Sequence, residues 1–190
     1  MTFHIGLAAW IIQDGNYEDF EVGREYRFAL EFYPHDVVVA PDASSIPRLA
    51  HVGNARHDAV GTIVFCSDAA WVVDFGVLAF QEAKPPSWAK PGTVVSGRFY
   101  LGVAPFFYFE RLKEVRGMPD LFRQWFIRRI LLETTPWKEE SDPHGRKFRT
   151  RDSSRESFIE VPATDAWKHD GGSGHYVLEC EQRMGPGGSG

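Results

Sequence analysis

Apolar residues recur along this chain mostly at alternate positions, in short runs closed by Gly, Pro, Asp and Ser. Across residues 26–32, Tyr26, Phe28, Leu30 and Phe32 fall on one face and Arg27, Ala29 and Glu31 on the other, the period of a half-buried strand. Residues 5–12 are apolar almost throughout, and Asp14-Gly15-Asn16 supplies turn chemistry, so these two segments are expected to form a hairpin with a long connection. Val37-Val38-Val39 predicts a β-branched strand ending at Pro41, with a turn over residues 42–45 and a further strand over 48–52.

Residues 60–66 and 70–80 read as strands joined by a hairpin turn at Ser67-Asp68. Lys84-Pro85-Pro86-Ser87 enforces a loop, because proline removes a donor and fixes the backbone. After Lys90-Pro91-Gly92, β character resumes over 93–103. Tyr108, Leu112 and Val115 carry helical spacing before Gly117 and Pro119, predicting one short helix over 106–116, although Phe106 to Phe109 also suit an extension of the strand. Residues 121–135 fit both periods, and their β-branched and aromatic content favours a strand from Gln124 onward. Residues 147–151 are expected to pair with 155–161, residues 139–145 to form a charged turn, and 176–181 to be the last strand. Gly-rich residues 184–190 offer nothing to pack and are expected to be a disordered tail.

Nine or ten short strands and one helix place the chain in the all-β class, as a small barrel or sandwich forming a single domain over residues 1–183. The length of 190 residues, with 43% hydrophobic and 25% charged side chains, supports one real core. No apolar run approaches the roughly 18 residues that cross a bilayer. The N-terminus has no basic region ahead of its apolar stretch, so no secretory signal is expected and the cytoplasm is the expected compartment. Cys66 and Cys180 are too few and too far apart for a disulfide framework or a zinc motif and read as free thiols.

The net charge of −5 argues against non-specific coating of nucleic acid, but its distribution is uneven. Residues 1–60 hold nine acids against four bases, whereas residues 111–155 hold twelve bases against seven acids, so a basic surface can exist within an acidic protein.

One stretch has a more particular form. Val60-Gly61-Thr62-Ile63-Val64, then Trp71-Val72-Val73-Asp74-Phe75-Gly76, then Pro91-Gly92-Thr93-Val94-Val95-Ser96-Gly97 resembles the S1-like oligonucleotide-binding barrel over residues 57–103. The resemblance covers about a quarter of the chain. It implies a β face with aromatic and basic residues that binds single-stranded nucleic acid.

Phe99, Tyr100, Phe106, Phe107, Tyr108 and Phe109 fall within eleven positions. As core they would fill a barrel. As a site, Trp71, Phe99, Tyr100 and Tyr108 would stack bases while Arg98, Arg111 and Lys113 met phosphates. Lys147, Arg149 and Arg151 project from one side of a strand and either meet phosphates too or form a solvated face paired with Glu139, Glu140 and Asp142.

The remaining motifs are weaker. His169 and His175 bracket a flexible loop without the three or four fixed ligands a metal requires, and no metal or cofactor is expected. His35-Asp36 and His57-Asp58 are adjacent on strands, hence on opposite faces, and make no dyad. No nucleophile elbow, phosphate loop or carboxylate pair is present, so catalysis is not indicated. The expectation is a non-catalytic binding module for single-stranded nucleic acid. Recognition of a protein partner, or self-association, is the alternative. A third reading, a small-molecule enzyme in the barrel mouth, would need His51 or His57 to meet Asp74 in a cavity.

Overall fold

The computed structural model describes residues 1–40 and 46–183. In chain order the strands are β1 (Thr2–Ala8), β2 (Glu25–Phe28), β3 (Leu30–Val39), β4 (Arg48–Gly53), β5 (Arg56–Cys66), β6 (Trp71–Asp74), β7 (Leu78–Gln81) and β8 (Val94–Val103). They continue with β9 (Arg123–Glu133), β10 (Trp137–Ser141), β11 (Lys147–Arg151), β12 (Phe158–Val161) and β13 (His175–Arg183). A short helix α1 (Ala9–Gln13) follows β1, and a π-helical turn (Tyr108–Leu112) follows β8.

The fold is all-β, and five strands close into a barrel. β3 lies parallel to β7; β7 with β6, β6 with β5, β5 with β8 and β8 with β3 are antiparallel. Beyond Arg56↔Tyr100, where β5 leaves the edge of β8, β1 takes its place at Gly6↔Gly102. From β1 the sheet continues through β13 to β9, whose far edge carries β2 and β12. Only Ala29 separates β2 from β3, so the extra strands lead back into the barrel. β10 and β11 form a separate hairpin.

Alternation explains the core. Phe99, Leu101 and Val103 of β8 are fully buried, and on β1 the same holds for Phe3, Ile5 and Leu7. In the barrel Phe32 meets Trp71 edge-on with ring centroids 4.8 Å apart, and Phe75 lies 4.7 Å from Phe99. Among the extra strands Trp125 stacks on Phe28 at 5.5 Å and donates its indole N–H to the Phe28 carbonyl. These groups belong to one continuous apolar cluster. A smaller cluster, with Ala29, Val72, Phe80, Tyr108, Leu112 and Leu121, lies beneath the π-helical turn.

Several local expectations are corrected. The apolar run over 5–12 is not one strand: it bends into α1 after Ala8, burying Ile11 and Ile12 while Trp10 is exposed. β1 pairs with β13 and β8, so no hairpin joins it to residues 26–32. That second segment breaks at Ala29, and Ala29, Leu30, Glu31 and Phe32 are all buried because both faces of the sheet are covered there. Residues 70–80 divide at Gly76, whose φ of +87° turns the chain between β6 and β7. β11 pairs with β10 rather than with residues 155–161, which supply β12 to β9. Asp142 sets that turn, since its carboxylate accepts the backbone N–H groups of His144 and Arg146. The hairpin at Ser67, the helical turn after β8 and the strand character from Gln124 onward are as expected. The turn expected over 42–45 and the tail over 184–190 lie outside the described residues. Cys66 and Cys180 are both free, and among the described residues no helix is long and apolar enough to cross a membrane.

Candidate ligand-binding cleft

The residues singled out in the sequence do not form one surface. Trp71, Phe99 and Tyr108 are 1%, 0% and 4% exposed, so none of the three can stack on a base. Trp71 donates its indole N–H to Gln81, and the Tyr108 hydroxyl accepts the Leu121 N–H. Tyr100 lies on the outer side of β8 with its hydroxyl packed over Gly6. Arg98 is held by both carboxylate oxygens of Asp58, Arg111 by Glu82, and Lys147 by Glu139. Arg151 binds Asp170 and the Thr135 carbonyl and lies over Trp137, which Arg149 also flanks. The cations expected to meet phosphates on β8, the π-helical turn and β11 are thus largely engaged within the fold, as surface pairs commonly are.

Lys113 differs. Its ammonium sits 4.3 Å from the Phe109 ring centroid and, among the described residues, pairs with the adjacent Glu114 alone, at 3.9 Å. Phe109 is 54% exposed and opens onto a cleft of about 270 Å³ lined by Asn16, Tyr17, Arg27, Pro105, Phe106, Phe109 and Phe122. Four separate stretches assemble it, one of them the segment after β8 with Pro105, Phe106 and Phe109. The turn after α1 supplies Asn16 and Tyr17, β2 supplies Arg27, and pairing of β2 with the start of β9 brings Arg27 beside Phe122. The Arg27 guanidinium lies over the Phe122 ring at 4.7 Å. Tyr17 is fixed by donating its hydroxyl to the Ala104 carbonyl at 2.9 Å, and burial pushes its phenol up to about 12, so it remains a neutral wall. The cleft offers aromatic faces, an amide and a cation. Neither a protein family, nor a curated protein, nor a solved structure matches this chain.

Phe106 and Phe109 were conspicuous in the sequence as part of the aromatic run. Asn16, Tyr17, Arg27 and Phe122 carried no local signal, because the contacts that define them cross up to 95 positions of chain between Arg27 and Phe122.

Two other groupings of titratable residues stand apart from the cleft. Glu31 is 8% exposed, accepts the Tyr33 hydroxyl at 2.7 Å, and is pushed up to about 7 mainly by burial. His51 and His57 do not meet Asp74, which instead caps the Gly76 turn. They join His4, and the His4 and His51 rings stack at 3.6 Å. Among the described residues no group of three His, Cys, Asp or Glu side chains is arranged to hold a metal ion. His35 and Asp36, expected on opposite faces, are in contact at 3.1 Å, because the bulge after His35 and the positive φ of Asp36 break the alternation.

Proposed function

We propose that this chain is a non-catalytic binding module for a planar aromatic ligand carrying negative charge, and that single-stranded nucleic acid is the class it takes. The observation that supports this reading is the cleft of Tyr17, Phe106, Phe109 and Phe122 with Arg27 over one ring and Lys113 over another. An aromatic pair accepts any base by its π-face, an amide at the rim reads a base edge, and cations at the margin meet phosphate. The size of the cleft suits one base rather than a larger ligand. The S1-like strands are consistent with the same reading, since β5, β6 and β8 are members of the closed ring. The proposed contact surface lies on the segment after β8 and on β2 rather than on the buried aromatics of the barrel.

The test is fluorescence anisotropy of labelled single-stranded DNA and RNA pools, at low salt and at roughly 0.2 M salt, where phosphate contacts weaken through counterion uptake. Phe109→Ala should cost about 1–3 kcal/mol of binding while leaving stability within about 0.5 kcal/mol, as for an exposed side chain. Arg27→Ala should lower affinity and reduce the salt dependence. Absence of binding at both salts, or binding indifferent to both substitutions, would overturn the reading.

A further inference from the structure

The junction at which β5 yields the edge of β8 to β1 brings three histidines from distant parts of the chain together. His51 on β4 and His57 on β5 are cross-strand partners, and His4 lies on the neighbouring β1. The His4 and His51 rings are parallel to within 5° at 3.6 Å, and His57 lies 5.6 Å from His51 and 6.3 Å from His4. His51 donates Nε2–H to the Asn54 carbonyl at 2.7 Å, which fixes its ring on the tip of its own hairpin. Among the described residues Nδ1 of His4 and Nδ1 of His57 are buried without a well-formed hydrogen bond, the Ala55 backbone giving His57 a small opposing contribution.

The tip of the β4–β5 hairpin forms one wall of a groove of about 300 Å³. His51, Gly53 and Asn54 line it on that side, facing Leu131, Phe158 and Val177 across the opening. Among the described residues, the tip is joined to the rest of the fold by the His4–His51 stack, by the Leu101 N–H, which donates to the Ala55 carbonyl, and by Arg56, which pairs with Glu156.

The charged groups facing the cluster are few. Glu179 on β13 lies 3.7 Å from His4 Nε2, but it is shared with Arg129 of β9, which also binds Glu160 of β12. Glu156 is engaged by Arg56. One partly neutralised carboxylate therefore stands against three imidazoles. Burial, then the other two histidines, holds His57 down at about 4, and burial followed by His51 lowers His4. Protonating His4 in place would put a charge into a poorly solvated gap against the His51 ring, which weakens the stack.

We propose that the His4–His51–His57 cluster is a proton-operated latch, which holds the β4–β5 tip closed over the groove at neutral pH and releases it on acidification. A histidine whose pKa is lowered in the closed form binds protons more tightly in the open form. Closure is therefore favoured above the ordinary histidine pKa of 6.5 and is lost as pH falls from there toward 4. Release moves His51 away from His4, lets water reach both Nδ1 atoms, and widens the groove along Leu131, Phe158 and Val177. β5 beyond Arg56 stays in the barrel, because its ladder to β8 does not involve the tip.

Amide hydrogen exchange read by mass spectrometry at pH 7, 6 and 5, corrected for intrinsic exchange, tests this. The protection of residues 50–55 should fall by about twentyfold between pH 7 and pH 5, the linkage expected of one histidine that titrates at about 4 when closed and 6.5 when open, while β6 is unchanged. His51→Phe keeps the stack and removes the part of the shift that comes from the His51 ring, while burial of His4 and His57 remains; because His51 is exposed the variant folds, and its tip should lose less protection than the parent's. A tip protected equally at pH 7 and 5, an equal loss in His51→Phe, or a loss shared by β6 would each overturn the proposal.

Discussion

Replacing Glu31 by Gln tests the electrostatic reading of the barrel wall most directly. Glu31 sits on β3 between Phe80 of β7 and Gly102 of β8, with the Tyr33 hydroxyl as its hydrogen-bond donor. Burial dominates the rise of its pKa from 4.5 to about 7, and the neighbouring Glu82 adds to it. The folded state thus holds this proton more tightly than the unfolded chain does. The contribution to stability is fully present below about pH 4.5, and it is lost as pH rises through 7. At about 1.36 kcal/mol per pKa unit, ionising Glu31 in place costs on the order of 3 kcal/mol at pH 8. Gln keeps the acceptor for Tyr33 and cannot ionise. Urea unfolding of both proteins at pH 5, 6, 7 and 8 is the assay. His4 and His57, whose pKa values are lowered, shift stability with the opposite sign, gaining as pH rises toward 6.5, and they are common to both proteins. The difference between variant and parent should therefore be small near pH 5 and grow by about 3 kcal/mol in favour of Gln by pH 8. A difference that is constant with pH would refute the assignment.

Two further predictions concern packing. A Cβ on Gly6 would lie 1.7 Å from the Tyr100 hydroxyl oxygen, so Gly6→Ala should destabilise by about 1–3 kcal/mol through overpacking. In a Tyr100→Ala background much of that cost should disappear, a coupling measurable by a double-mutant cycle in urea. Arg151 pins the β10–β11 hairpin through Asp170, the Thr135 carbonyl and the Trp137 ring. Its loss in Arg151→Ala removes charged hydrogen bonds worth about 1.5–3 kcal/mol each before compensation, and it should accelerate proteolytic cleavage in the Asp142–Gly145 turn, while equal cleavage rates would show that the hairpin is held by other contacts.

The all-β class was legible because alternation is a local property. Phe99, Leu101 and Val103 announce one buried face of a strand whatever that strand pairs with, and the Ser67-Asp68 turn announces a hairpin. Alternation names faces but not what covers them. Trp71 is a stacking candidate in the sequence and Phe109 only a member of the aromatic run, yet the first fills the barrel and the second opens onto solvent. At residues 29–32 the second cluster covers the outer face as well, and the expected polar side of the strand is buried with it. The partners of β1 and β11 were likewise beyond reach, since a strand's hydrogen-bonding edges are the same for every neighbour.

Both sites depend on pairings of this kind. Arg27 reaches Phe122 because β2 lies against the start of β9. His4 reaches His51 because β1 takes the edge of β8 that β5 has left. The residue types, the strand periods and the turns were set by neighbours a few positions apart. Which edges meet, and so which side chains share a cleft, was decided by closure of the barrel, where burying a common core outweighs local preference.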